Sequence, residues 1–489
     1  MKILSWAAPI LFLIIVFSSS CKKDALNTDG ALTFSVDTVI FDTVFTTIGS
    51  ATRQFKIYNP SKDEVNISSI MLAGGQQSKY RINVDGVSGI AFSNIAIPGK
   101  DSLFVFVDVT LDPNNLAQPA IATDSVLFNT NGNIQDVDLV AFGWDADFTY
   151  PNVFDNPIGP YRFLDCDITW TNLEPHVIYG WAVVPEGCTL TIEEGTRVYS
   201  HKGSGIIVDE GGTLIVNGKP QNQVVFASDR LDDFYEDQAG EWNAIWLYEG
   251  SVNNEIHGAL LKNGRTGIQV DRPPYNSSPN LVMTNTIIEN MAAGCFFSNE
   301  ATVRAYNCVF GNGGQVSAYL GQGGDYQFYH CTFGNYWVNG NRQTPALLLN
   351  NWFEDADEVV QTFNLTQAYF GNCIIYGNNL TELGLDENVS SAFSFEFENC
   401  VMKLDFNAEE PIDVSSSSEF KSMIYNQDPY FVDPSENNFE LDSSISSAFN
   451  TGDNGITNEN LIILGQDVIG NFRPFGSGNP DIGAYERQE

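Results

Sequence analysis

The chain has 489 residues, too many for one ordinary domain, so two or more folding units or one long repetitive unit are expected. With 43% hydrophobic residues, 34 Phe and only 17% charged residues, its composition excludes an intrinsically disordered chain. Against 61 acidic residues stand 23 basic ones, a formal net charge of -38. This excludes nucleic acid as a partner, because phosphate binding needs a cationic face, and it disfavours adsorption on anionic lipid.

Residues 1–20 carry Lys2, an apolar run from Ile10 to Phe17, and three serines directly before Cys21, the order of a signal peptide with a small-residue cleavage site. The run is shorter than the roughly 20 residues a membrane span needs. Small residues before a cysteine resemble the lipobox of bacterial lipoproteins, although Ser18 stands where Leu is commoner. The resemblance implies that Cys21 is acylated and becomes the mature N-terminus; two or three acyl chains anchor stably where one does not. An ordinary secretory signal with an incidental cysteine is the alternative. Lys22, Lys23 and Asp24 open a polar tether to Gly30, similar to the surface-export signal of Bacteroidetes lipoproteins with only one acid supplied. The expected location is the outer membrane, with membrane contact through the lipid and either leaflet open.

Residues 31–148 alternate β-branched and aromatic runs with turn residues, for example Arg53 to Tyr58, Val65 to Leu72, Ser102 to Thr110 and Val137 to Phe142, broken at Asn59-Pro60, Gly74-Gly75 and Asn131-Gly132. About seven strands near ten-residue spacing predict an immunoglobulin-like β-sandwich. The run from Phe104 to Val109 has few polar positions and reads as a central strand. RQFKIYNPSKDEVNISSI and IPGKDSLFVFVDV resemble bacterial hydin-type immunoglobulin-like domains, which implies a stalk or adaptor.

From residue 150 onward the sequence repeats. A small residue, any residue, a large apolar residue, a glycine or charge, then Asn recurs at Ala259, Thr286, Cys308 and Cys331, and returns in altered form at Cys373 and Cys400. These starts are spaced 27, 22, 23, 42 and 27. Such periods predict one turn each of a right-handed parallel β-helix over 150–424, so the fold class is all-β throughout. Side chains at i and i+2 share a face. The small and large apolar residues are therefore expected inside, with Leu260, Ile287, Val309, Thr332, Ile374 and Val401 outside and the trailing Asn residues forming a ladder at the turns. Cys308, Cys331, Cys373 and Cys400 fall in one column. At about 4.8 Å per coil their Cβ atoms lie beyond the roughly 3.8 Å of a disulfide, so buried free thiols are expected. Pairing of Cys166 with Cys188 is left open.

VxxGCTLTIEEGT and AGEWNAIWLYEGS are similar to the opening coils of Bacteroidetes β-helix proteins of the pectate-lyase-like superfamily. DPYFVDP, SAFNTG, GNFRP and PDIGAYE near the C-terminus resemble the ending of the choice-of-anchor Q group, which implies a surface β-helix protein without a defined activity. Residues 425–489 read as final coils and a cap, since a solenoid must cover its last coil.

No catalytic constellation is evident: HExxH, P-loop and nucleophile-elbow patterns are absent. Two acidic clusters, Asp229, Asp232, Asp233, Glu236 and Asp237 in one insertion and Glu354, Asp355, Asp357 and Glu358 in another, are candidate carboxylate or cation sites, with solvated turns as the plainer reading. No cofactor or metal site is assigned; Ca²⁺ is the one cation these clusters could take. Tyr336, Trp337 and Trp352 lie in the longest repeat interval, where rings could stack on sugar faces. Trp242, Trp246 and Tyr248 share a parity compatible with the core. The expected function is non-catalytic binding or adhesion, with a polysaccharide or surface protein as partner. A polysaccharide lyase or glycoside hydrolase is the alternative, and a purely structural envelope component the third reading.

Overall fold

A computed structural model describes residues 31–113, 120–274, 279–474 and 478–488. Cys21 and the signal segment lie outside them. The chain divides into two compact units, residues 1–145 and 146–489.

The first unit is two five-stranded sheets. One orders Thr33–Phe34, Arg53–Tyr58, Ser102–Val109, Tyr80–Val84 and Val87–Gly89; the other orders Thr38–Phe45, Asn133–Trp144, Ala120–Thr130, Val65–Leu72 and Ala91–Ile97. Pairing is antiparallel except between Thr38–Phe45 and Asn133–Trp144. Strand alternation supplies the core: Val105, Val107 and Val109 are buried beside Phe55, Ile57 and Val126. Ser102–Val109 is central in its sheet, but its second face is not buried. Phe104 and Phe106 are each 39% exposed and stacked at 6.1 Å, with the Lys56 ammonium 4.5 Å from the Phe104 ring.

The second unit is a parallel β-helix. Its first sheet has eleven strands from Asp147–Thr149 to Ile424–Tyr425, its second nine from Tyr161–Phe163 to Leu383–Asp386, and its third ten from Ile168–Trp170 to Phe420–Lys421. The sequence repeat marks the first sheet: Leu260, Ile287, Val309, Thr332, Ile374 and Val401 are register partners on successive strands. The 42-residue interval is one coil with a long excursion, because Thr332–Asn335 pairs directly with Ile374–Gly377. Inside, rings stack coil on coil, Phe328 on Phe370 at 5.1 Å and Phe370 on Phe397 at 4.6 Å. Cys308, Cys331, Cys373 and Cys400 are buried and free, as is Cys295, whereas Cys166 and Cys188 are joined in a disulfide on adjacent coils.

That disulfide corrects the spacing argument, since its Cα atoms are 4.9 Å apart, close to one coil step. What distinguishes the long column is orientation. Each Sγ turns to the carbonyl two residues back, Cys308 to Tyr306 at 3.3 Å, Cys373 to Gly371 at 3.4 Å and Cys400 to Glu398 at 3.3 Å.

The turn ladder also differs from expectation. Of the trailing asparagines only Asn290 donates to its predecessor, Asn263, at 2.8 Å. The longer ladder lies one residue before the small position, at Asn285, Asn307, His330, Asn372 and Asn399, all with φ between 49° and 53°. Asn and His tolerate this left-handed bend because their side chains bond locally. Asn307 donates to Asn285 at 3.1 Å, Asn372 to His330 Nε2 at 2.9 Å and Asn399 to Asn372 at 2.9 Å.

The C-terminal segment packs along a side of the helix: Phe431, Phe439, Leu441, Val468, Ile482 and Tyr485 lie on the outward Ile287, Val309, Ile374 and Val401 of the first sheet. The outward positions are therefore buried, Val309 and Val401 completely. An apolar stripe of that length would otherwise face water. The motif residues do the fastening. Arg473, fully buried, donates to Asn307 Oδ1 at 3.1 Å and Glu486 Oε2 at 3.0 Å, and Asp467 Oδ2 accepts the Glu486 amide at 2.8 Å.

Candidate functional site

The second sheet presents one partly accessible aromatic face; the third carries another, in which Tyr329 lies 5.2 Å from both Tyr306 and Tyr369. On the second sheet, parallel register aligns Phe163, Val183, Ile207, Trp246, Gln269, Phe297, Tyr319 and Leu348 in one outward column. At one end Trp181, Val183, Ile207 and Ala244 form a buried cluster on which Trp246 rests, 6.5 Å from Trp181. Tyr248, 42% exposed, meets Trp246 at 5.4 Å, and Phe297 meets Tyr319 at 6.1 Å. Every coil but that of Gln269 thus adds a ring or an aliphatic group at a step of about 4.8 Å.

A polar column runs beside it. Asp271 accepts from Trp246 Nε1 at 2.6 Å and Asn299 Nδ2 at 2.9 Å; Asp386 accepts from Asn350 Nδ2 at 2.8 Å and Trp352 Nε1 at 2.9 Å. These bonds hold the indoles in fixed orientations. The two carboxylates are four coils apart, about 19 Å at the inter-strand spacing, well beyond the roughly 5–9.5 Å of a hydrolytic carboxylate pair. The arrangement can stack and hydrogen-bond an extended ligand.

The sequence candidates divide. Trp352 joins the polar column. Tyr336 does not face solvent freely: its ring lies 6.0 Å from Phe431 and 6.3 Å from Phe439, beneath the C-terminal segment. Trp337 lines a cavity of about 200 Å³ with Asp237, Asn312 and Asn437. Trp242 is buried in the core, whereas Trp246 and Tyr248 face out, so the shared parity breaks in the turn before Ile245–Leu247. Phe297, Tyr319, Asp271 and Asp386 were not among the sequence candidates. Aligning the second strand of each coil from the repeat starts would have placed them in two columns.

The acidic insertion 229–241 lies over the first sheet, where Asn263 donates to the Glu236 carbonyl at 2.5 Å and Asn290 to the Asp237 carbonyl at 2.9 Å. Asp233 begins a short 3-10 turn, Asp233–Tyr235. Asp229 is withdrawn from the cluster. Its carboxylate, 9% exposed, is 2.8 Å from Nδ1 of His201, itself 48% exposed and stacked on Tyr179 at 4.6 Å, which stacks on Tyr150 at 5.2 Å. Burial raises the Asp229 pKa, opposed by the His201 bond. Glu354, Asp357 and Glu358 are exposed on the hairpin of Trp352–Glu354 and Val360–Thr362; Asp355 closes its turn by accepting from the Asp357 and Val359 amides, both at 3.0 Å. Among the described residues no group of three or more His, Cys, Asp or Glu side chains is arranged to hold a metal.

Residues 161–333 match the family described as right handed beta helix region. The second unit is a right-handed β-helix. No curated protein matches the chain. Among solved structures, the catalytic unit of a GH87 alpha-1,3-glucanase from Streptomyces thermodiastaticus is 9% identical over 76% of this chain and 88% of its own, with a TM-score of 0.24. A family 123 glycoside hydrolase from Clostridium perfringens is 10% identical over 23% of this chain, which spans 25% of that enzyme's length, with a TM-score of 0.16. A PapD-like domain of human CEP192 is 9% identical over 26% of this chain and 94% of the domain, with a TM-score of 0.18.

Proposed function

We propose that this chain is a cell-envelope lipoprotein, anchored through Cys21 in the outer membrane, whose β-helix binds an extended glycan without cleaving it. The N-terminal β unit serves as an immunoglobulin-like stalk and the C-terminal region as a choice-of-anchor-type element. The observation that carries the reading is the outward column of Trp246, Phe297 and Tyr319 beside Asp271 and Asp386. Rings one or two coils apart offer stacking surfaces to successive sugar units, and the flanking amides and carboxylates offer partners for hydroxyls. A surface protein presenting an extended polar strand is the other partner class this face accepts. The test is a glycan array followed by affinity electrophoresis, with Trp246→Ala and Tyr319→Ala as paired variants. Retarded migration that both variants abolish supports the reading; no retained glycan, or retention unaffected by either change, overturns it.

The polysaccharide lyase or hydrolase reading has one specific observation in its favour, the His201–Asp229 pair. A carboxylate on Nδ1 of this half-exposed imidazole favours the tautomer whose Nε2 is the acceptor, as a general base requires. Product release from a polysaccharide panel, with or without Ca²⁺, that His201→Ala abolishes would establish catalysis. Equal release by wild type and variant would remove this pair from it.

A further inference from the structure

The acidic insertion and the first sheet enclose a cavity of about 350 Å³, distinct from the second-sheet face. Its size is that of a small-molecule site, for which about 300–1,000 Å³ is usual. The floor is apolar: Val225 and Ala227 point outward from Val224–Ser228, whose alternate residues Val224 and Phe226 fill the core. The walls are charged. Arg230 and Lys262 both line the cavity. Arg230 lies in the field of Asp229 and Lys262 in that of Glu289. Among the described residues neither is locked in a close salt bridge of the kind that joins Arg342 to Glu382 and Arg473 to Glu486.

Arg230 is held in place by a ring. Its guanidinium carbon lies 3.6 Å from the centroid of Tyr235, so the planar group is fixed on an aromatic face. Its backbone amide donates to Ser228 Oγ at 3.1 Å, which fixes the start of the insertion. Asp232 and Glu236 complete the lining. The cavity therefore combines two cations, two carboxylates and an apolar floor.

We propose that this cavity binds a small ligand that carries a carboxylate and, opposite it, hydrogen-bond donors. The carboxylate sits against Arg230 and Lys262, the donors meet Asp232 and Glu236, and the carbon skeleton lies on Val225 and Ala227. A dianion such as phosphate fits less well, because the two acidic groups repel the second charge and a phosphate brings no apolar face. Both a sugar acid and an α-amino acid supply the required chemistry, the first with hydroxyls and the second with an ammonium group.

The test is calorimetric titration of the full-length protein with glucuronate, glutamate, acetate and inorganic phosphate. Glucuronate or glutamate is expected to bind, and which of them does identifies the source. Arg230→Gln and Lys262→Gln should each weaken that binding by about tenfold or more, while Lys262→Arg retains it. Trp246→Ala, on the separate second-sheet face, should leave it unchanged, so loss of glycan binding and loss of this site are read independently. Circular dichroism melting of each variant reports whether it is folded. Binding of neither glucuronate nor glutamate overturns the proposal. So does phosphate or acetate binding equally well, or wild-type affinity in both glutamine variants.

Discussion

The ring of Phe439 rests against the backbone of Gly311, so closely that a Cβ on the glycine would stand 2.5 Å from Cε2 of the ring; one on Gly334, a coil further on, would come closer still. Two glycines in the fourth position of the repeat thus form the seat for one aromatic residue of the C-terminal segment. Neither has a positive φ, so the requirement is space and not backbone conformation. Gly334→Ala is expected to lift the segment from the sheet at a cost of about 1–3 kcal/mol, the usual range for overpacking. Limited proteolysis should then cut within residues 425–488 while the helix stays intact. Wild-type resistance in that variant would mean that the ring has room to move.

The first sheet also carries a half-buried carboxyl group, that of Glu289. Burial raises the Glu289 pKa from 4.5 to about 7, opposed by Lys262 and assisted by Asp237, and Tyr485 lies in its field. A carboxyl that binds its proton more tightly when folded loses stability as pH rises from about 4.5 through about 7, and the loss is complete above that. Glu289→Gln cannot ionise. It is expected to raise stability at pH 8 by roughly 1–3 kcal/mol relative to wild type, with the gain shrinking toward zero near pH 4.5. Denaturant midpoints of the two proteins at pH 5, 6, 7 and 8 check the sign. His330 acts in the opposite sense, since burial holds its pKa well below 6.5 and its contribution is lost as the medium becomes acidic; comparing variant with wild type cancels it.

How much could be read beforehand follows from which forces are periodic. The coil repeat was visible because the interior imposes one small and one large apolar residue on successive coils of the first sheet, at Cys331 and Phe333 as at Cys308 and Phe310. The ladder at Asn307 and Asn372 was missed for a local reason. The bend needs a left-handed residue immediately before the small one, and at coil 330 a histidine occupies it, breaking the pattern by eye. The outward faces were harder. Val309 and Val401 have the same alternation whether water or side chains such as Phe439 and Ile482 lie above them, so the sequence of the strand does not tell a covered face from an open one. Phe297 and Tyr319 each stand eleven residues after a repeat start, Thr286 and Cys308, but Trp246 follows the long insertion after Val224–Ser228 and Leu348 the excursion after Thr332–Asn335, so no single spacing runs the length of the aromatic column.

Asn372 joins the ladder to the C-terminal segment. Its Nδ2 donates to His330 Nε2 at 2.9 Å and to the Asp453 carbonyl at 3.0 Å, while its Oδ1 accepts from Asn399 at 2.9 Å and from the Asp453 amide at 2.8 Å. Asn372→Ala leaves these buried groups unpaired and adds a Cβ-only residue at φ 51°, a combined cost expected at about 2–4 kcal/mol. Asn372→Gly removes the backbone part and keeps the hydrogen-bond loss. The difference between their urea midpoints should therefore favour glycine, by about 1 kcal/mol for the left-handed conformation. Equal midpoints would show that the bend carries no strain.

The two kinds of cysteine give the last contrast. Cys166 and Cys188 close a loop of 22 residues at the start of the β-helix, and removing such a link usually costs about 2–4 kcal/mol. The double change Cys166→Ser and Cys188→Ser is expected to lower the melting temperature and to increase amide exchange first in Ile168–Trp170 and Thr189–Glu193, the strands that follow the two residues. Cys295, Cys308, Cys331, Cys373 and Cys400 should behave otherwise, because all five are buried and each turns its Sγ to a backbone carbonyl. An aromatic disulfide reagent should titrate none of them in the native protein and all of them after denaturation. Rapid labelling of Cys331 or Cys373 in the native state would show that the stacked coils open, and the β-helix interior would then be a reactive thiol column instead of a closed core.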